Sequence, residues 1–210
     1  MLLKKIPRVA LPPVVFVRAV LRSFMAESGL EPRLLGVNNI RVTDAVHGRV
    51  QFELDVTKDH TNRLGILHGG TIASMVDLGG SLAVASTGLY ATGVSTDLNV
   101  SYLSSGGLPG NKITATAICD KIGKTLAYTS VTFRNHKDEL AARGSHTKYV
   151  ERAVRAQHGL FFPPSGVQIA TEDFDGLKDI SAISLKDDLL GDIEPDDADN
   201  TRPEAEDTKS

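Results

Sequence analysis

Asp77 stands in a run, residues 71–86, otherwise made of Ala, Ile, Met, Val, Leu, Gly, Ser and Thr. A helix over that run is apolar on every side and therefore buried. A carboxylate in such a helix is costly unless it is paired, solvated in a cleft or shifted in its ionisation. Buried ionisable groups gather at active sites, which makes Asp77 a candidate general base or nucleophile. An aspartate held by structural hydrogen bonds is the alternative. Just upstream, Leu67-His68-Gly69-Gly70 brings a turn without side chains to the start of the same helix. The first N–H groups of a helix lack partners and lie at the positive end of its dipole. Gly69 and Gly70 would let a polarised carbonyl oxygen approach them, as in an oxyanion hole. A plain tight turn is the alternative there.

The spacing carries a further implication. Seven or eight residues separate the glycines from Asp77, roughly 10 to 12 Å along a helix axis. One thioester or ester group cannot touch both within one chain. Two such helices packed antiparallel across a two-fold axis would bring the glycine turn of one chain to Asp77 of the other, and a dimer would then hold two composite sites.

The motifs His60-Thr-Asn62, Leu67-His68-Gly69-Gly70, Val76-Asp77, Gly93-Val-Ser95-Thr-Asp97-Leu-Asn99, Gly123-Lys-Thr-Leu-Ala127 and Gly144-Ser-His-Thr-Lys148 together resemble the hotdog-fold acyl-CoA thioesterases. The resemblance is to the thioesterase superfamily member two type, related to the bacterial phenylacetate-pathway thioesterases, and covers residues 35–150. It implies an α+β hotdog fold, an antiparallel sheet wrapped around one long central helix. It also implies hydrolysis of a fatty or aromatic acyl-CoA to free acid and CoA by a homodimer or dimer of dimers, with no metal or cofactor. In that scheme the Gly69 N–H and Asn62 hold the thioester oxygen, Asp77 of the other chain activates water or attacks directly, and Ser95 orients the water. His68 and Gly70 shape the turn against the substrate. Lys121, Lys124, Arg134, Lys137 and Arg143 are candidates for the CoA phosphates, which need positive charge; surface solvation is the alternative for each.

The elements that must position these residues are legible from periodicity. Val50, Phe52, Leu54 and Val56 alternate with polar residues, the period of a half-buried strand, and residues 35–43 form the strand before it. Val94, Thr96, Leu98, Val100 and Tyr102 alternate with Ser95, Asp97, Asn99 and Ser101. Residues 113–118 make another strand, and residues 126–134 and 139–150 make a hairpin closed over 135–138. The helix is expected to end near Gly88. Its Gly79-Gly80 pair costs about 1 kcal/mol per residue against alanine, so close packing against sheet or partner is expected to compensate.

Three regions follow: a basic arm and helix over residues 1–34, the thioesterase-like domain over 35–152, and an acidic tail over 153–210. Residues 1–26 hold Lys4, Lys5, Arg8, Arg18 and Arg22 and no acid. That composition suits an amphipathic transit peptide or a basic arm in which Pro12-Pro13 starts a helix over 14–28; mitochondrial and cytoplasmic locations both stay open. Residues 172–210 carry 14 acids and 4 bases, the composition of a disordered, dispensable tail with a transient helix at most over 180–190. Phe161-Phe162-Pro163-Pro164 is the stretch of the tail expected to dock on the domain, or else a linker.

Other chemistries find little support. The lone Cys119 excludes an intramolecular disulfide and reads as strand filler rather than a nucleophile. Gly123-Lys124-Thr125 lacks the upstream glycine of a phosphate-binding loop, that place being Ile118. His60 and His68 have no partner cluster at metal-ligand spacing. No Gly-x-Ser-x-Gly elbow is present. The scattered basic residues make no nucleic-acid footprint, and no run is long enough to span a bilayer. Two rivals remain open. A hotdog 3-hydroxyacyl thioester dehydratase would need a His paired with a carboxylate, and the helix bearing Asp77 holds none. A non-catalytic acyl-CoA binding module would lack the base.

Overall fold

The computed structural model describes residues 10–157, 159–167 and 169–176. The expectations for Lys4, Lys5 and Arg8 and for a helix over 180–190 therefore lie outside the described residues. The chain order is α1 (Pro13–Glu27), α2 (Glu31–Leu34), β1 (Ile40–Val46), β2 (Arg49–Asp55), a 3-10 turn (Lys58–His60), α3 (Gly69–Ala85), β3 (Val94–Tyr102), β4 (Lys112–Ile122), β5 (Leu126–Arg134), β6 (Leu140–Tyr149), α4 (Glu151–Ala156) and a second 3-10 turn (Thr171–Phe174).

The strands form one six-stranded antiparallel sheet in the order β1-β2-β4-β5-β6-β3. Alternate residues of its inner face, Phe52, Leu54, Ile113, Ala115, Ala117, Val131 and Phe133, are fully enclosed against Met75, Leu78 and Leu82 of α3. The expected α+β class and the sheet packed on a long helix are both observed. Small residues set the distance between the layers. A Cβ on Gly79 would lie 2.9 Å from the Phe52 ring, and one on Gly80 would lie 2.4 Å from His146 Nδ1 and 2.6 Å from Thr129 Oγ1. On the sheet side a Cβ on Gly144 would lie 2.7 Å from Val76 Cγ2. The helix-propensity cost of the glycine pair is thus offset by contact between α3 and the sheet.

Pro13 occupies the first turn of α1 and needs no N–H partner there. The helix buries Val15, Phe16, Val17, Ala19, Val20, Leu21 and Met25 against β1 and α3, each large side chain contributing about 1.5–3 kcal/mol. It is a layer of the core rather than an appended arm.

Two expectations are corrected. The first is the tail. Through Gly176 it packs on α1: Ile169, Asp173 and Phe174 are buried, Arg22 pairs with Asp173 at 2.6 Å, and Arg18 donates to the Asp173 and Asp175 carbonyls at 2.9 and 2.6 Å. Phe161 docks as expected of its stretch, meeting Phe16 edge-on at 5.6 Å; its carbonyl accepts the Leu11 N–H and its N–H donates to Gly88 O, both at 3.0 Å. Apolar burial and two arginines therefore order a segment whose average composition hides them. The second is the strand expected over residues 35–43, which begins only at Ile40 and runs to Val46, because α2 and a turn at Gly36 with positive φ precede it; β3 is the expected strand and is exposed along most of its length.

Candidate active site

The helix bearing Asp77 is enclosed on most sides, but Gly70, Ala73, Ser74 and Asp77 make a stripe open to solvent. The Asp77 side chain is 41% exposed, so it stands at the rim of the core rather than inside it. Three groups converge on its Oδ1. Ser95 Oγ donates at 2.9 Å, His146 Nε2 lies at 3.1 Å and Lys148 Nζ at 4.0 Å. His146 Nε2 is also 2.9 Å from Ser95 Oγ. Oδ2 has no hydrogen-bond partner among the described residues, and it is the oxygen left to meet a reactant.

Ser95 reaches Asp77 because the register of β3 slips. Leu98, Val100 and Tyr102 pair with His146, Gly144 and Ala142, but a bulge at Thr96 brings Ser95 opposite Lys148. Without that extra residue, alternation would send Ser95 to the outer face.

His146 and Lys148 come from β6, two residues apart and so on the same inner face. Their side chains are 0% and 4% exposed. Burial, reinforced by the Lys148 charge, pushes the His146 imidazole down from 6.5 to about 4, against the opposing pull of Asp77. It is therefore neutral at physiological pH. Its Nδ1 is enclosed without a partner among the described residues, so the proton belongs on Nε2, where Asp77 and Ser95 can accept it. Burial likewise pushes the Lys148 ammonium below its ordinary range, opposed by Asp77 and Glu31.

The glycine turn is a separate construction. His68 caps α3, its Nδ1 accepting the Gly70 N–H at 2.8 Å. That engagement leaves the Gly69 N–H as the donor of the pair with no acceptor among the described residues. Tyr102 lies over Gly69, donating its hydroxyl to the Gly69 carbonyl at 2.9 Å, and a Cβ on Gly69 would meet its ring at 3.3 Å. Upstream, a Thr61–Leu67 bridge closes the legs of a loop. Inside it Asn62 Oδ1 accepts the Leu64 and Ile66 N–H groups at 2.9 and 3.4 Å. With the oxygen committed, the Asn62 carboxamide presents its NH₂ as a donor. His60 is enclosed, its Nδ1 accepting the Thr57 N–H at 3.0 Å and its Nε2 meeting Leu35 O at 3.1 Å, which is a structural role.

Asp77 and Ser95 are thus brought together, as are Gly69, Gly70 and His68, while eight residues of α3, about 12 Å, separate the two groups. The five basic candidates do not converge. Lys121 and Lys124 sit by the β4–β5 turn, at the sheet end where Ser95, Lys148 and Ala127 pair across; Arg134, Lys137 and Arg143 sit at the other end, level with Tyr102. The sequence reading missed His146 and Lys148. The signal was Gly144-Ser-His-Thr-Lys148, two ionisable residues at strand spacing on a face that otherwise carries Ala142 and Gly144. The histidine partner of Asp77 does exist, and it comes from β6 rather than from the helix. Among the described residues no cluster of His, Cys, Asp and Glu has metal-binding geometry. Burial raises the Cys119 thiol to about 11, which leaves it a poor nucleophile.

The thioesterase superfamily model matches residues 64–142, from the glycine turn into β6. A Schizosaccharomyces pombe protein named as an esterase is 45% identical over 139 residues, 66% of this chain and 85% of that one. The chain belongs to the thioesterase superfamily. Human acyl-coenzyme A thioesterase 13, another member, is 40% identical over 134 residues, 63% of this chain and 93% of its own. Among solved structures of the family, zebrafish thioesterase superfamily member 2 superposes with a TM-score of 0.57 at 34% identity, over 63% of this chain and 94% of that one. A Streptococcus mutans protein crystallised with acetyl-CoA gives 0.50 at 26% identity, over 54% and 89%. The expected family and fold are thereby established.

Proposed function

We propose that the chain hydrolyses fatty or aromatic acyl-CoA to free acid and CoA, at two sites shared across a homodimer. The observation that carries the reading is the Asp77 carboxylate. Ser95, His146 and Lys148 converge on Oδ1 of a side chain that is 41% exposed, which leaves Oδ2 without a partner among the described residues. In one site the Gly69 N–H and the Asn62 NH₂ of one chain receive the thioester oxygen as it becomes negative. Asp77 of the other chain takes a proton from water through Oδ2 while the water oxygen bonds to the carbonyl carbon. The C–S bond then breaks, and the CoA thiolate takes up the proton held by Asp77. Direct attack by Oδ2, followed by hydrolysis of the mixed anhydride, uses the same groups. Ser95, already hydrogen-bonded to Oδ1, orients the carboxylate and the water.

The shared site is supported by the 12 Å separation and by the open edge of β3, where Val94, Leu98 and Tyr102 are exposed. In such a dimer the Lys121–Lys124 group of one chain and the Arg134, Lys137 and Arg143 group of the other flank each site, so the CoA phosphates would meet cations from two subunits. A dimer of dimers goes with the family resemblance, and a role in lipid metabolism, mitochondrial or cytoplasmic, goes with the substrate. Among the described residues no helix is long and apolar enough to cross a membrane. The His146–Asp77 pair has the composition a dehydratase would use. Yet His146 is fully enclosed and its Nε2 is committed to Asp77 and Ser95, which leaves it no path to a hydroxyacyl group.

Asp77→Asn keeps the volume and removes the base. Thiol release from an acyl-CoA panel should fall by about 10² or more while acyl-CoA still binds. Mixing Asp77→Asn with Asn62→Ala chains should restore part of the activity, since some heterodimers carry one intact site. A fully active monomer by light scattering, or no recovery after verified subunit exchange, would refute the shared site. Near-normal hydrolysis by Asp77→Asn would make the carboxylate structural.

A further inference from the structure

Lys148 is an unusual residue to find on the inner face of a sheet. Its side chain is 4% exposed, it lies 4.0 Å from Asp77 Oδ1, and it shares that face of β6 with His146 two residues away. A long, flexible cation is buried at such a cost only where an anion repays it. Asp77 already accepts from Ser95 and meets His146 Nε2 at 3.1 Å, so it does not need a third partner for its hydrogen bonds. What the ammonium changes is the charge that the imidazole can carry. His146 lies between an anion, which favours its protonated form, and Lys148, which opposes it.

We propose that Lys148 is a positioning residue of the reaction proposed above, its buried ammonium holding His146 as a neutral imidazole whose one N–H secures Asp77 and Ser95. A protonated His146 would form an ion pair with Asp77, hold its negative charge and remove its capacity to take a proton from water. It would also carry an N–H on Nδ1, an enclosed atom that has no hydrogen-bond partner among the described residues. The ionisable groups facing this cluster are Asp77 from α3, His146 and Lys148 from β6, Asp97 from β3 and Glu31 from α2. Asp77 and Asp97 favour a cationic imidazole; burial opposes them first, and Lys148 is the charged group that adds to it.

The test reads the imidazole directly. The proton NMR titration of His146 in the intact protein, assigned with His146→Gln, should give a midpoint of about 4. In Lys148→Met it should rise by about one pH unit or more, as loss of a charge at this range requires. Lys148→Arg, which keeps the charge, should leave it near the wild-type value. With an acyl-CoA substrate, the acid limb of kcat/KM should move upward in step in Lys148→Met and stay in place in Lys148→Arg. Should Lys148→Met fail to fold, Lys148→Gln, which keeps a polar head of similar reach, is read in the same way. An unchanged His146 midpoint in the neutral variants would overturn the proposal, whatever happens to the rate. A midpoint that moves in a protein without thioesterase activity would uphold the electrostatic role and refute the hydrolase reading instead.

Discussion

Gly80→Ala sets two well-known effects against each other at one atom. Replacing a glycine inside a helix by alanine ordinarily stabilises it by about 1 kcal/mol. Here the new methyl would lie 2.4 Å from His146 Nδ1, 2.6 Å from Thr129 Oγ1 and 3.1 Å from His146 Cβ. Neither neighbour can step aside cheaply. The imidazole is fully enclosed with Nε2 held by Asp77 and Ser95, and the Thr129 hydroxyl donates to His146 O at 2.8 Å. Overpacking of this kind costs about 1–3 kcal/mol, to which the propensity gain is opposed. The net expectation is a loss of about 1 kcal/mol, a fall in Tm of roughly 2–4 °C for a chain of this size. Thioester hydrolysis should fall further than stability does, by about tenfold or more, because the displaced imidazole moves the carboxylate it positions. Calorimetry and a free-thiol assay on the same preparation separate the two. A Tm at or above the wild type's with unchanged kcat/KM would refute the reasoning, since His146 could not then lie under Gly80.

Two further predictions concern stability. Ending the chain at Gly176 keeps the described contacts of the tail on α1 and should leave Tm within about 1 °C. Ending it at Ala170 removes buried Phe174, the Asp173 and Asp175 carbonyls that accept from Arg18 and the Asp173 carboxylate that pairs with Arg22, which should cost about 3 kcal/mol; equal melting of the two truncations would show that the contact on α1 contributes nothing. The second concerns acid. His146 titrates at about 4 when folded against 6.5 as its ordinary value, so the native state binds fewer protons between those values. Its contribution is complete above about 6.5 and is lost as pH falls toward about 4, on the order of 3 kcal/mol in all. Urea unfolding of wild type and His146→Gln should therefore diverge with pH across that window, and parallel curves would exclude the linkage.

Much of this architecture could be read directly from residue patterns. Val50, Phe52, Leu54 and Val56 announce β2, the hairpin over 135–138 is where the alternation breaks, and Pro12-Pro13 marks the start of α1. Asp77 stood out because its neighbours are apolar. What periodicity could not show is which residues face it. Ser95 comes inward through a bulge at Thr96, and the alternation of Val94, Thr96 and Leu98 gives no sign of that slip. His146 and Lys148 look like two polar residues at the end of a strand until the sheet order puts β6 beneath α3. The tail misled for another reason. Averaged over residues 172–210 its charge outweighs everything else, and the single Phe174 that anchors it disappears in the mean.

The clasp between Arg18 and the Asp173 and Asp175 carbonyls joins residues 155 and 157 positions apart, and this bears on how the protein is made. Synthesis delivers α1 first and its clasp last. A helix with seven buried residues thus leaves the ribosome long before the segment that covers it exists. Its apolar stripe can settle on β1 once that strand emerges, where Arg18 Nε also meets Val42 O at 3.2 Å, but the Asp173 and Asp175 carbonyls arrive only after the whole sheet. These contacts, among the most distant in sequence of the described residues, are therefore also among the last that synthesis makes available.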